Sequence, residues 1–179
     1  MNAQAYVEHD GAMTIHAEHP FASSDRDLGR QLRARLGGRV ALLTTGQGRS
    51  RVGLTVSSVL VAGGEPWRAV VLLDPDSDLA ESLEVGSPAV LQLLSGPHRY
   101  LADAFAGLAP APGGLFTLGS WEQTEWGPRL SEAESWAGVR VESRRSIGWS
   151  AEFVLTLEGG AAGESAEPLH HVRGAYRTL

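Results

Sequence analysis

Apolar positions recur along this chain with two periods, and the switches between them mark its elements. The first twenty or so residues follow neither period, and residues 1–20 are expected to form an arm or an irregular strand. From Ser23 the period is helical. Ser23, Ser24 and Asp25 offer caps, Leu28, Leu32 and Leu36 share one face, and Gly37 and Gly38 supply a stop. Arg30, Arg33 and Arg35 occupy another face, which reads as solvated and basic.

The pattern then turns to strands. Val40 to Thr45 and Val52 to Val61 flank GQGRS, which reads as a hairpin loop, and Trp67 to Leu73 follows the turn-like GGEP. Connections this short predict an antiparallel meander, because a parallel crossover needs about a dozen residues or more. Ser77 caps a short helix through Leu79 and Leu83, Ala89 to Leu94 returns as a strand, and Pro97 to Phe105 is a helix with Leu101, Ala104 and Phe105 on one side. Gly107 to Gly119 is a long Gly, Pro and Ala loop of the kind that shapes a site or a lid. Ser135 to Ser143 alternates as a strand, and Trp149, Ala151, Phe153, Leu155 and Leu157 fall on one face of the next. After the flexible GGAAGESAEP, Leu169 to Tyr176 is a final short strand. Six or more short strands with a few inserted helices define a mainly β (α+β) chain and a small antiparallel barrel over residues 21–179.

One strand carries a polar face. In RVGLTVSS, Leu54 and Val56 point one way and Gly53, Thr55 and Ser57 the other. A polar ligand can lie on the second face, since glycine admits it to the backbone and hydroxyls both donate and accept. The alternative is a half-solvated strand whose Thr and Ser face water. Beside it, Arg49 and Arg51 are candidates to grip a phosphate through guanidinium forks, or else mark an exposed hairpin tip.

Composition narrows the chemistry. At 179 residues the chain suits one domain. It has no cysteine, which removes disulfides and thiolate chemistry and suits a reducing cytosol. It has no lysine either, so Schiff bases and P-loop lysines are excluded. The N-terminus lacks a basic start with an apolar run, and no stretch is long and apolar enough for a membrane span, so a soluble, cytoplasmic protein is expected. A net charge of -6 argues against a nucleic-acid surface. His9, His16, His19, His98, His170 and His171 make no metal set. There is no GxSxG elbow, and TTGQGRSRVG lacks the strand-then-helix context of a dinucleotide fingerprint. Trp121, Trp126, Trp136 and Trp149 cluster late, as stacking groups for a ring ligand or as core and interface packing.

Seven segments stand in an order that resembles the flavin reductase-like family: VALLTT, GLTVSS, EPWRAVVLL, DPDSDL, AVLQLLSGPHRYLADAFAG, GPRLSEAESWAGVRV and PLHHVRGAYRTL. The resemblance implies an FMN-binding split barrel, Greek-key-like, usually a homodimer. It implies NAD(P)H-dependent reduction of FMN, with FAD or a deazaflavin as alternative ligands, and a possible flavin-dependent monooxygenase as recipient. Carried over residue by residue, it puts Thr55, Val56, Ser57 and Ser58 along the flavin, and Ser77 and Ser95 near its phosphate. Arg173, Gly174 and Tyr176 would close the site near the flavin face or the partner subunit. Two positions depart from the family pattern: Gln92 stands where Asn is common, and Gly148, Trp149 and Ser150 replace a Gly-Asp-His run, so Trp149 would cover the flavin or obstruct the nicotinamide. No side-chain acid or base is obligatory, because the cofactor performs the reaction. A flavin-binding protein of the same fold without reductase activity is the alternative.

Overall fold

The computed structural model describes residues 28–164 and 167–178, so the arm expected over residues 1–20 lies outside the described residues. Along the chain run α1 (Leu28–Leu36), β1 (Gly38–Arg39), β2 (Ala41–Thr45), β3 (Val52–Val56), β4 (Val59–Ala62), β5 (Arg68–Leu73), α2 (Asp78–Ser82) and β6 (Pro88–Leu93). There follow α3 (Arg99–Phe105), β7 (Trp121–Gln123), β8 (Pro128–Leu130), β9 (Trp136–Ile147), β10 (Ser150–Ala161), β11 (Leu169–Val172) and β12 (Ala175–Thr178).

Seven strands form one antiparallel sheet in the order β3-β2-β6-β9-β10-β5-β4. It curls until β3, at one edge, comes back against β5 near the other. The concave face is dry. Ala151, Phe153 and Leu155 of β10 stand opposite Leu73, Val71 and Ala69 of β5, and all six are buried. Filling this space with Phe153 alone contributes about 1.5–3 kcal/mol of transfer free energy. α2 closes the barrel with Leu79 and Ala80, its start capped by the Ser77 hydroxyl, which accepts from the Ala80 N–H.

A second core lies outside the curl. Val40, Leu42 and Leu94 meet Leu101, Ala102 and Phe105 of α3, with Leu130 and Leu169 closing it. β7 and β8 form a hairpin over this core, and β1, β11 and β12 form a three-stranded sheet beside it. Trp126 lies flat over Gly138 and Gly159, where any side chain on Gly138 would run into its indole.

Several expectations are corrected. The Val52 to Val61 run is two strands, not one, and they stand at opposite edges of the sheet, so no meander exists. α1 forms, but its leucine stripe faces outward, with Leu28, Leu32 and Leu36 exposed and Arg30 half-buried. α1 rests on β11 instead through its Ala34 side, where the Ala34 carbonyl accepts the Arg173 N–H at 2.8 Å. Trp149 is not on the inner face of β10; it sits in the turn before it, 77% exposed. The terminal strand is a hairpin, turned at Arg173 and Gly174, both at positive φ as a type I′ turn demands.

Candidate functional site

The break between β3 and β4 is the point where the chain leaves one edge of the sheet and crosses to the other, and Ser57 and Ser58 occupy it. The backbone of both is fixed. Gly38 packs against the Ser57 carbonyl so closely that only a residue without Cβ fits there, and the Ser58 carbonyl accepts the Leu72 N–H at 3.2 Å. Their side chains are half-buried, and neither hydroxyl is engaged by another group among the described residues. These are donors and acceptors presented on a held backbone and left for a ligand.

The rest of the polar strand face is used by the fold. Thr55 donates its hydroxyl to the Ala102 carbonyl at 2.7 Å, tying β3 to α3. The Phe105 ring covers Gly53, whose Cβ would come within 2.8 Å of Cε1, so no ligand approaches the backbone there. Val56 points into the barrel core. The face opens only from Ser57 onward. Gly38 stands opposite His171, and His171 opposite Tyr176, so these three share one face of the small sheet. Tyr176 makes an edge contact with the His171 ring and lies under the Arg99 guanidinium, 5.9 Å away. Burial raises its phenol above the usual tyrosine range, Asp103 adds to that and Arg99 opposes it. Gly38 and His171 had no signal in the sequence beyond a helix stop and an extra histidine.

The remaining expected residues are placed elsewhere. Gln92 is fully buried, and its amide donates to Thr44 Oγ1 at 3.0 Å and to the Pro128 carbonyl at 3.3 Å, while its Oε1 accepts the Leu130 N–H. It clips β8 to the sheet, with its amide N–H groups and its Oε1 all engaged inside the fold. The extra methylene over Asn is what reaches β8. Ser77 is a helix cap whose hydroxyl also donates to the Asp74 carbonyl, in a turn carrying Asp74, Asp76 and Asp78 that disfavours a phosphate. Trp149 stands exposed at the β9–β10 hairpin tip. Arg49 is exposed on the β2–β3 connection, whereas Arg51 lies over the Phe116 ring at 4.9 Å and donates to the Gly48 carbonyl.

Ser95 opens a cavity of about 280 Å³ that His98, Glu132, Glu134 and Glu167 help to line. Its hydroxyl and its N–H both face Nδ1 of His98, at 3.0 and 3.2 Å. Burial holds the His98 imidazole below the usual histidine range, against the pull of Glu132. Three carboxylates make this cavity hostile to a phosphate, so the anion expected at the start of α3 does not fit it.

A curled antiparallel half-barrel with a hydroxyl-bearing crossing between its edges defines a split-barrel protein. Residues 33–179 match the sequence pattern of the flavin reductase like domain, and the chain belongs to that family. It is 26% identical over 155 residues to the FMN reductase (NADH) RutF of Ancylobacter novellus, covering 86% of this chain and 85% of that one. Among solved structures, the flavin reductase PheA2 superposes with a TM-score of 0.76 at 19% identity, over 87% of this chain and 98% of that one. The styrene monooxygenase flavin reductase of Pseudomonas putida S12 gives 0.73 at 20% identity, over 84% and 96%.

Proposed function

We propose that the protein is an NAD(P)H-dependent flavin reductase that takes FMN as its flavin. The family match over residues 33–179 carries this reading, and the similarity over 155 residues to a protein named FMN reductase (NADH) agrees with it. The two unspent hydroxyls at Ser57 and Ser58 fit a ring edge rich in acceptors and donors. When bound, flavin takes hydride from the reduced nicotinamide and passes the electrons on; the chemistry is the cofactor's. The chain's part is to bind and orient. Ser57 and Ser58 offer hydrogen bonds to the ring edge from a backbone that Gly38 and Leu72 hold in place. Tyr176 and His171 supply an aromatic wall on the same face of the small sheet as Gly38.

Reduced flavin delivered to a separate monooxygenase is the role that the Pseudomonas putida relative's name suggests. Residues 21–179 form the single catalytic domain in this reading, active in the cytoplasm as a homodimer. The decisive experiment titrates FMN, FAD and a deazaflavin into the purified protein and follows NADH and NADPH oxidation with each. FMN-dependent oxidation is expected; tight flavin binding with no oxidation makes the protein a carrier, and no flavin binding overturns the reading.

A further inference from the structure

We propose that the outer face of the small sheet is an anion site, built by Arg39, His170 and Arg177, that takes a phosphate or diphosphate group of a nucleotide. The strand register places Arg39 directly opposite His170, and His170 directly opposite Arg177. Directly opposed residues of an antiparallel sheet stand on the same face, with Cβ atoms about 4.5–5.5 Å apart. The three side chains therefore form one row across three strands, on the face away from Gly38, His171 and Tyr176.

Among the described residues, no ion pair neutralises Arg39 or Arg177. The described ion pairs join Arg68 to Glu142, Arg129 to Glu122, Arg140 to Glu158 and Arg145 to Glu152, and neither Arg39 nor Arg177 is among them. The Nε of Arg39 is buried without a hydrogen-bond acceptor, and burial draws its guanidinium below the usual arginine range. Two acids among the described residues lie on the other face of the small sheet: Glu167 by Gly96 beside Thr178, and Asp103, which acts on Tyr176. A buried donor without an acceptor costs stability. An anion held between the strands removes that cost.

The sequence segregates charge to the same end. Leu28 through Gly64 holds six arginines and no carboxylate, and Leu169 through Thr178 holds two arginines, two histidines and no carboxylate, in a chain of net charge -6. α1 borders the row, because Gly37 abuts the side chain of Val172, which alternates onto the face of His170. Two guanidinium forks with an imidazole between them suit a small group with several negative oxygens, the geometry of phosphate and diphosphate.

The inference does not depend on the reductase reading, and its test is separate. Inorganic pyrophosphate, and then inorganic phosphate, is titrated calorimetrically into the full chain at low ionic strength. Pyrophosphate is expected to bind, and Arg39→Gln or Arg177→Gln to weaken it about tenfold each. Ser57→Ala is expected to leave it unchanged. Arg39→Lys keeps the charge and loses the fork, so it should fall between, and it serves if Arg39→Gln does not fold. Comparing NADPH with NADH, and FMN with riboflavin, identifies the source: only the pair whose discrimination collapses in Arg39→Gln places its phosphate here. Absence of pyrophosphate binding, or equal affinity in wild type and both Gln variants, overturns the proposal.

Discussion

Gln92 and Ser57 divide the polar side chains of the sheet into those the fold has consumed and those it has left. Gln92→Leu removes an acceptor from the Leu130 N–H and a donor from Thr44 inside a closed core, so it should cost about 2–4 kcal/mol in urea unfolding. FMN affinity of the folded protein should not change. Ser57→Ala should do the reverse, weakening FMN about fivefold in a fluorescence titration with stability intact. Thr55→Val belongs with Gln92, since its hydroxyl serves the Ala102 carbonyl, and should lower stability by about 1 kcal/mol while sparing affinity. From sequence, Thr55 and Ser57 are indistinguishable, being two hydroxyls on one face of one strand. What separates them is α3, which packs on β3 as far as Thr55 and stops there. A strand pattern registers faces; it carries no information on which helix covers which part of a face.

At the scale of elements, types were legible and partners were not. The caps at Ser77, the stops at Gly37 and Gly38, and the alternation of β9 and β10 follow from local rules and appear where those rules put them. Ser57 and Ser58 carry no glycine or proline, so nothing local announces that one apolar run is two strands on opposite edges. The Arg173–Gly174 turn hides for a similar reason: its positive φ values are usual for Asn-Gly, and arginine gives no such sign. α1 defeats its own periodicity, since the leucine stripe that predicts a buried face points outward. The start of α3 carries a pH dependence. His98 is held neutral by burial, while in the unfolded chain it takes a proton near pH 6.5, roughly. As pH falls through that value the unfolded state gains a proton that the folded state resists, so stability declines until the lower folded pKa is reached. Thermal unfolding should show this decline as pH falls below about 6.5, and His98→Asn should flatten it.

At the scale of the whole molecule, one edge of the barrel is bare among the described residues. The sheet has two edge strands, and they differ. β3 is covered by α3, through Thr55 and Phe105. Among the described residues β4 is paired with β5 along one side only, and its sequence VLVA lacks the charge, proline or bulge that protects an exposed edge. Leu60 is 74% exposed, Val61 58% and the neighbouring Trp67 57%. A second copy of the chain meeting this edge would shield its unpaired backbone and its apolar side chains together, and a symmetric contact of that kind is self-complementary. Light scattering on a sizing column should therefore give twice the chain mass, and Val61→Lys should give the monomer with its circular dichroism and melting transition retained. A variant that stays dimeric would move the interface to the other exposed apolar surface, the leucines of α1, where Leu32→Glu should then dissociate it. Activity separates the consequences: if the Val61→Lys monomer still oxidises NADH with FMN, each barrel carries a complete site between Ser57 and Tyr176. If it binds FMN weakly and turns over poorly, the partner copy supplies the second wall of the cleft.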